Sequence, residues 1–375
     1  EIGVRLVGSE MCIRDSFLSC NEVKDKNGVI LRVSLDEQEA SIMEIFKRID
    51  IIPLETTDSC LLIWPDKALY VDSCFMIFDS KNPALFCFDK NGKFIRKIGR
   101  KGSGPEEYVD VYDAIYDDDN GCISFLSPFG ELFSYIPDGK FVERKRLPQK
   151  VNYQSLEETH GLYVTWTLPV SDKDFGISLI SKDSLQCVKE DWQGNRNLAS
   201  LYPKCFYKYG DEISFFRSFD RNVYKVSKEK MSILYRWDFG KDNYDMEDFG
   251  ISMKTAKGEA EFSLLIDKLR NGTIPYLFSS QKQTNKYYYA QLIFGFNPHN
   301  TYHIFYRKLD GKSYFFKRTV EGLNLNPIYS NNEFMLCLAY KNDLEKCRKI
   351  LQIEDCAKLD KMCEDDNPCL IKCYY

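Results

Sequence analysis

The sequence predicts an all-β protein, and three observations support this fold class. Aromatic residues make up 14% of the 375 residues, including 24 Tyr and 26 Phe, and such residues are enriched in strands. Short segments alternate apolar and polar residues, which is the period of a half-buried strand. Turn residues, among them Asn91-Gly92, separate each segment from the next. The chain is therefore expected to fold as consecutive antiparallel hairpins.

Five hairpins of similar design recur along the chain. In the clearest, residues 84–99, we expect Asn91-Gly92 to form a tight type I′ turn, because both central positions of that turn need a positive φ. The other four span residues 133–144, 177–188, 223–234 and 304–316. The turn residues that align them, which lie 49, 45, 45 and 82 positions apart, are Asp89, Asp138, Asp183, Lys228 and Asp310. The near-equal steps indicate an internal repeat.

The length of the repeat predicts how the hairpins assemble. Four short strands in about 45 residues form one blade of a β-propeller, whereas a two-helix repeat of that length would show a 3.6-residue period. The five hairpins and a C-terminal unit give six blades, so the predicted fold is a six-bladed β-propeller over residues 46–375. We expect residues 47–54 and 369–375 to close the ring by completing one blade, since an open blade would leave unpaired edges.

Two helical insertions are expected within the propeller. The longest step contains residues 252–270, where Phe262, Leu265 and Leu269 have helical spacing. Without this insertion the step would be close to one blade. A second helical insertion is predicted over residues 343–362, which also show apolar residues at helical spacing.

The first 45 residues are expected to lie outside the ring. Residues 1–16 resemble a translated sequencing adapter, so we interpret them as a non-native leader. Residues 17–45 form an N-terminal linker, and its Leu18-Ser19-Cys20 resembles the end of a bacterial lipoprotein signal. The Cys of such a signal receives the lipid, so Cys20 is the predicted lipidation site, and the lipid would anchor the protein without spanning the membrane. The alternative is an incidental Cys in a leader segment.

Composition excludes several classes of function. The chain has 51 Lys and Arg against 56 Asp and Glu, a formal charge of −5, whereas a nucleic-acid binder needs a basic surface. The longest uncharged segment, residues 287–306, contains polar residues that a membrane helix would not accept, and we interpret it as two strands around residues 297–300. No nucleophile and base form a catalytic motif, and the histidines are scattered: His160, His299 and His303. We therefore predict no catalytic residue, no metal and no cofactor.

The 14 cysteines are interpreted as buried thiols. Several lie within apolar segments, where Cys behaves as a small hydrophobic residue. The sequence contains no Cys-x-x-Cys pair, so a zinc site is not expected. An exported protein could form disulfides, and a Cys363–Cys373 or a Cys356–Cys369 bridge remains open.

One loop is the best candidate for a ligand site. Residues 99–108 combine glycines with basic residues, and backbone N–H groups in such turns can form a concave anion site. Arg100, Lys101 and Tyr108 are therefore the predicted ligand-binding residues. In the alternative, Gly and Pro only shape the crossover between two blades, and Tyr108 packs between them. The acidic run Asp117-Asp118-Asp119 lacks the spacing of a calcium loop and is interpreted as a solvated hairpin turn.

Four segments carry a resemblance to a known family. Residues 52–57, 71–78, 88–108 and 365–368 resemble the six-bladed β-propeller proteins of Bacteroidetes, many of which are predicted lipoproteins and which are related to NHL-repeat propellers. In the loop before Tyr108 that family commonly has Gln and Gly where this chain has Ser103 and Glu106. The resemblance implies the fold and an exported location, namely a lipid-anchored protein of the periplasm or outer membrane.

Two classes of function remain open. The first is a binding or scaffold module for a peptide, a glycan or a partner protein. Such a module would be a monomer, would bind no nucleic acid and would meet the membrane only through its lipid. The second is a propeller-fold carbohydrate-active enzyme, either a polysaccharide lyase or a glycoside hydrolase. The side chains of the central channel discriminate between them, because clustered carboxylates or shifted pKa values favour an enzyme and an apolar lining favours binding.

Overall fold

Six small sheets form a ring in the computed structural model, which describes residues 24–25, 28–148, 152–199, 201 and 204–375. Each sheet is one blade, and the chain enters four of the blades at the innermost strand and leaves at the outermost. The prediction of a six-bladed β-propeller is confirmed. Residues 1–16 and Cys20 lie outside the described residues, so the structure does not address the leader or the lipidation site.

The strands follow one another around the ring. Before blade 1 come β1 (Lys24–Asp25), β2 (Gly28–Arg32) and β3 (Arg48–Pro53). Blades 1 to 3 contain β4 (Pro65–Val71), β5 (Cys74–Asp79), β6 (Ala84–Phe88), β7 (Phe94–Ile98), β8 (Asp113–Asp117), β9 (Cys122–Leu126), β10 (Glu131–Tyr135), β11 (Phe141–Arg146), β12 (Asn152–Thr159), β13 (Leu162–Leu168), β14 (Ile177–Ser181) and β15 (Cys187–Asp191). Blades 4 to 6 contain β16 (Phe206–Tyr209), β17 (Glu212–Phe216), β18 (Asn222–Lys225), β19 (Ser232–Asp238), β20 (Tyr276–Gln283), β21 (Tyr287–Phe294), β22 (Thr301–Arg307), β23 (Ser313–Phe316), β24 (Pro327–Ser330), β25 (Phe334–Ala339) and β26 (Cys369–Tyr374).

Short helices interrupt this pattern. The α-helices of the described residues are α1 (Ile42–Ile45), α2 (Arg196–Ala199), α3 (Glu259–Arg270), α4 (Lys341–Lys346) and α5 (Ile353–Leu359). Single 3-10 turns lie at Gly240–Asp242, Met246–Phe249, Pro298–Asn300 and Arg348–Ile350. Helix α3 lies between blades 4 and 5 and buries Leu265 and Leu269, while α4 and α5 belong to blade 6, so both helical insertions occur where the sequence places them. Among the helices of the described residues, none combines the length with the apolar character that a membrane span requires.

The core lies between neighbouring blades. Tyr108, Phe125 and Phe133 belong to the apolar cluster between blades 1 and 2, and Trp166 and Phe215 to the cluster between blades 3 and 4. Both faces of a blade are therefore covered, and a middle strand such as β6 is buried at all five positions. This arrangement explains why the middle strands are continuous apolar runs while the outer strands alternate.

Both ends of the described chain complete blade 6. β3 pairs antiparallel with β26, with Ile51 opposite Ile371 and Pro53 opposite Cys369. This is the closure expected from residues 47–54 and 369–375. It leaves no open edge between the first and last blades.

The N-terminal linker also contributes to the ring. β2 pairs in parallel with β19, with Val29 opposite Tyr235, and β1 adds a further strand to β2. Blade 4 therefore has six strands. Residues 28–32, which were assigned to a linker outside the ring, extend the outer edge of this blade.

The turn of the clearest hairpin differs from the expected type I′ turn. Of the two residues, only Gly92 has a positive φ, of +83°. The Asp89 carboxylate accepts hydrogen bonds from Asn91 N at 2.8 Å and Lys93 N at 3.0 Å, and these bonds stabilise a longer turn with a register shift. A side chain at Gly92 would also collide with the Pro53 carbonyl oxygen. The type I′ prediction is wrong because an acidic residue two positions earlier caps the turn.

The cysteines of the described residues are all free. Cys363 is exposed whereas Cys373 is fully buried, and Cys356 is not bonded to Cys369. Burial raises the pKa of the Cys87 thiol to about 12, so this group is neutral at physiological pH. Neither candidate bridge is formed in this structure.

Candidate functional site in the central channel

The innermost strand of each blade lines a central channel. β4, β8, β12, β16, β20 and β24 all contribute to its wall. β4 contacts both β8 and β24, and β12 contacts both β8 and β16 across the blade boundaries. The cavity has a volume of about 830 Å³, which is in the range of sites for small ligands.

Charged side chains of the first three blades are linked in the channel wall. Lys67 Nζ on β4 lies 2.8 Å from Asp113 Oδ1 on β8 and 3.8 Å from Glu157 Oε1 on β12. Asp113 Oδ2 accepts hydrogen bonds from Ser155 Oγ at 3.0 Å and from Leu156 N at 2.9 Å. Burial alone would raise the pKa of Asp113, but Lys67 and the Leu156 N–H lower it. The Asp113 carboxylate therefore joins blades 1, 2 and 3 and has little capacity left for a ligand.

A second ion pair crosses the channel. Lys204, just before β16 of blade 4, places Nζ 2.8 Å from Asp66 Oδ2 on β4 of blade 1. Blades 1 and 4 are opposite each other in a ring of six. Both residues lie near the start of an inner strand, so the pair spans the channel at the end where those strands begin.

Lys282 on β20 is the exception among the channel lysines. No hydrogen bond or ion pair joins its ammonium group to any residue that the structure describes, although the side chain is half-buried and lines the channel. Burial, reinforced by the charge of Lys67, lowers the pKa of Lys282 to about 8. Glu157 shows the opposite effect, because burial raises the pKa of its carboxyl group despite the nearby Lys67.

The rest of the lining is rich in hydroxyl, amide and phenol groups. Gln281, which precedes Lys282 on β20, is 1% exposed. Its Oε1 accepts a hydrogen bond from Trp237 Nε1 at 2.9 Å, and this bond joins β20 to β19 of blade 4. Polar and aromatic residues of the lining include Ser279, Ser280, Gln283, Asn326, Asn331, Tyr70, Tyr116, Tyr209 and Tyr329. The channel wall thus mixes polar and charged groups with apolar side chains such as Ile63, Val71 and Leu338, and the carboxylates of Asp66 and Asp113 are already paired with lysines. The wall therefore combines the features expected of a binding site and of an enzyme.

The acidic run at the end of β8 is only partly the solvated turn that the sequence predicts, because Asp118 and Asp119 lie in an exposed turn whereas Asp117, the last residue of β8, does not. Asp117 is fully buried, and Lys182 Nζ of blade 3 lies 2.6 Å from Asp117, 2.6 Å from Asp119 and 2.8 Å from Glu158. Burial alone would lower the pKa of Lys182, but its three hydrogen-bonded carboxylates raise it. The lysine ammonium occupies the place that a cation would take among these carboxylates. This contact could not be predicted from local sequence because Lys182 is 65 positions away from Asp117.

The predicted ligand loop is divided between surface and core. Tyr108 is 1% exposed, and its hydroxyl donates a hydrogen bond to the Pro83 carbonyl at 2.6 Å. Arg100 is well exposed and lies 4.0 Å from Glu107, and Lys101 is exposed as well. Tyr108 thus has almost no surface to offer a ligand. Binding at Arg100 and Lys101 stays a prediction.

The channel residues were missed because no local motif marks them. Lys67, Glu157 and Lys282 are single charged residues within strands of different blades. The available signal was positional, because five of the six innermost strands carry a charged residue whereas a middle strand such as β6 is entirely apolar. Aligning the repeats by their first strands would have placed these residues on one wall.

Comparison with known proteins supports the fold. The family model described as "Domain of unknown function (DUF4934)" matches residues 30–374. A Bacteroides fragilis protein thought to be exported has a similar structure, with a TM-score of 0.76 and 19% identity over 92% of this chain and 99% of that chain. A DUF4221 family member from Bacteroides vulgatus has a TM-score of 0.56 and 10% identity over 88% of this chain and 97% of that chain. Among curated proteins, none is similar enough in sequence to count as a relative.

Proposed function

The chain belongs to the DUF4934 family, and on that premise we propose that it is a binding module whose ligand site is the central channel. The observation that carries the proposal is the cavity of about 830 Å³ with a wall of charged, amide and tyrosine side chains. Concave sites with a few well-placed polar groups are the usual sites for small ligands. A short glycan or a peptide segment fits a cavity of this size.

Rigidity of the wall supports binding in the channel. Lys67, Asp113 and Ser155 hold one another across three blades, so this part of the wall needs little reordering when a ligand enters. Pre-organised groups bind with a smaller entropic cost than mobile ones. Tyrosine rings provide flat surfaces with a polar tip, which suits ligands that are partly apolar and partly hydroxylated.

An exported, lipid-anchored location is the second part of the proposal. It is supported by Leu18-Ser19-Cys20, by the resemblance to Bacteroidetes propellers and by the similarity to a Bacteroides protein thought to be exported. A lipid on Cys20 would be four residues from Lys24 of β1, a reach of at most about 14 Å. The outer edge of blade 4 would then face the membrane. Palmitate labelling of Cys20→Ala and the wild type behind a complete signal segment tests this, and equal labelling would reject it.

Channel binding is tested by filling the cavity. We expect a ligand found by screening glycans and peptides against the full chain to bind at least tenfold more weakly to Ser280→Tyr, because the ring would occupy the channel. Ser232→Tyr on the exposed side of β19 is the matched control and should bind as the wild type does. Equal binding by both variants would place the site elsewhere, and the loss of binding by Arg100→Ala with Lys101→Ala would then favour the predicted loop.

A carbohydrate-active enzyme remains the second candidate, and the shifted pKa values of Glu157 and Lys282 favour it. A raised carboxyl pKa and a lowered ammonium pKa in one cavity are typical of an acid and a base that work near neutral pH. In a lyase, neutral Lys282 would take the proton next to the sugar carboxylate, the C–O bond would break, and Glu157 would protonate the leaving oxygen. Formation of an unsaturated uronate by the wild type, and its loss in Glu157→Gln, would establish this activity in place of simple binding.

A further inference from the structure

Resting on the proposed function, the geometry points to a ligand with a carboxylate group: the channel binds an acidic oligosaccharide, and the ammonium group of Lys282 holds the carboxylate of a uronic acid unit. The inference depends on the balance of charge in the wall, that is, on which lysines of the channel already have a carboxylate partner. The channel lysines are Lys67, Lys204, Lys208 and Lys282.

Three of the four channel lysines already have carboxylate partners. Lys67 pairs with Asp113 at 2.8 Å, and Lys204 pairs with Asp66 at 2.8 Å. Lys208 lies 3.0 Å from Asp118 and also pairs with Glu158. Only Lys282, of these four, lacks an anion within reach.

The surroundings of Lys282 favour an added anion. Lys67 and Lys204 repel its charge, and Glu157, which attracts it, is within ion-pair distance of Lys67 instead. Cys337 of β25 is the other titratable group near it. A half-buried cation without a hydrogen-bonded partner loses solvation and regains only part of it from the more distant Glu157, so an incoming carboxylate would supply the missing interaction.

The wall also limits the ligand to isolated negative charges. Asp66, Asp113 and Glu157 face the same cavity and would repel a densely charged chain such as a polyphosphate. The groups next to Lys282 are hydroxyl and amide side chains, with Ser280 two positions before it on β20 and Gln283 directly after it. These groups suit the hydroxyls of a sugar, and tyrosine rings can stack on its apolar face. A uronic acid unit among neutral sugars combines both features.

The experiment compares matched probes by calorimetry with the full chain. The probes are a galactose trimer in which one unit is replaced by galacturonic acid, the corresponding neutral galactose trimer and a trialanine peptide with a free C-terminal carboxylate. We expect the acidic trimer to bind about 10- to 100-fold more tightly to the wild type than to Lys282→Met, which is the usual effect of one hydrogen bond to a charged group. Lys282→Arg should recover part of the affinity, and Lys230→Met at an exposed turn should change nothing. A thermal melting curve of each variant confirms that it is folded.

Each outcome bears on one of the two claims. If the acidic trimer fails to bind, or binds Lys282→Met as well as the wild type, the carboxylate inference is wrong. If only the peptide depends on Lys282, the ligand is a peptide carboxylate and the sugar assignment is wrong. The channel proposal survives all of these results as long as Ser280→Tyr weakens the binding of at least one ligand. It fails only if Ser280→Tyr weakens the binding of none.

Discussion

Two lysines of the propeller, Lys182 and Lys282, have opposite surroundings. The ammonium group of Lys182 is enclosed by three carboxylates within 2.8 Å, whereas that of Lys282 faces a cavity without a partner among the described residues. The same residue type is therefore a structural cross-link in one place and an open binding group in the other. The difference shows that a charged residue indicates a ligand only where the protein itself has not neutralised it.

The largest effect is expected from breaking the Lys182 cluster. Lys182→Met leaves Asp117 buried without its cation and removes one of the two lysines that pair with Glu158, so the free energy of unfolding should fall by about 3–5 kcal/mol. Denaturant unfolding measures this fall in the free energy of unfolding. Lys225→Met, which removes a half-exposed partner of Glu212, is the matched control and should cost about 0–1 kcal/mol. Similar losses in both variants would contradict the structural role of the cluster.

His303 extends the comparison to a buried group with neutral partners. Its Nδ1 is 2.9 Å from the Tyr289 hydroxyl, and burial lowers its pKa from 6.5 to about 4. The unfolded chain takes up a proton below pH 6.5 while the folded chain does not, so folding stability should fall as the pH decreases from 6.5 to 4, by about 3 kcal/mol in total. Unfolding curves across this range should show a shallower dependence on pH for His303→Gln. An unchanged slope would mean that other groups cause the acid sensitivity.

Removing Lys282 should have a much smaller effect on stability. Lys282→Met deletes a half-buried cation that lacks a partner, so the free energy of unfolding should stay the same or rise by about 1 kcal/mol. Urea unfolding beside Lys182→Met gives the direct comparison. A loss of several kcal/mol would show that Lys282 has a structural partner after all.

The smallest effect is expected in the loop at Arg100 and Lys101. Both side chains are exposed, so Arg100→Ala with Lys101→Ala should change the free energy of unfolding by less than about 0.5 kcal/mol. If the loop binds an anionic ligand, the same variant should weaken that binding by about 0.2–1 kcal/mol per contact and reduce its sensitivity to salt. Unaltered affinity and salt dependence would reject the loop as a site.

The fold was predictable because its repeats are local. Each outer hairpin, such as the one formed by β6 and β7, depends on alternation and turn residues that lie within 15 positions, and five of them together with a C-terminal unit predicted the six blades. The turn at Gly92 was mispredicted in detail because the capping by Asp89 competes with the type I′ geometry. The channel could not be predicted in the same way, because Lys67, Glu157 and Lys282 meet only when the ring is closed. Contacts between residues so far apart leave no local pattern in the sequence.

The ion pair between Lys204 and Asp66 has a consequence for the form of the ligand. An ion pair across the channel narrows it at one end, so we expect the intact pair to hinder a polymer from threading through the ring. Entry from the opposite face by one end of the polymer is then the easier route. A propeller closed in this way would recognise chain termini in preference to the interior of a polymer, and it would hold short fragments as readily as the ends of long ones.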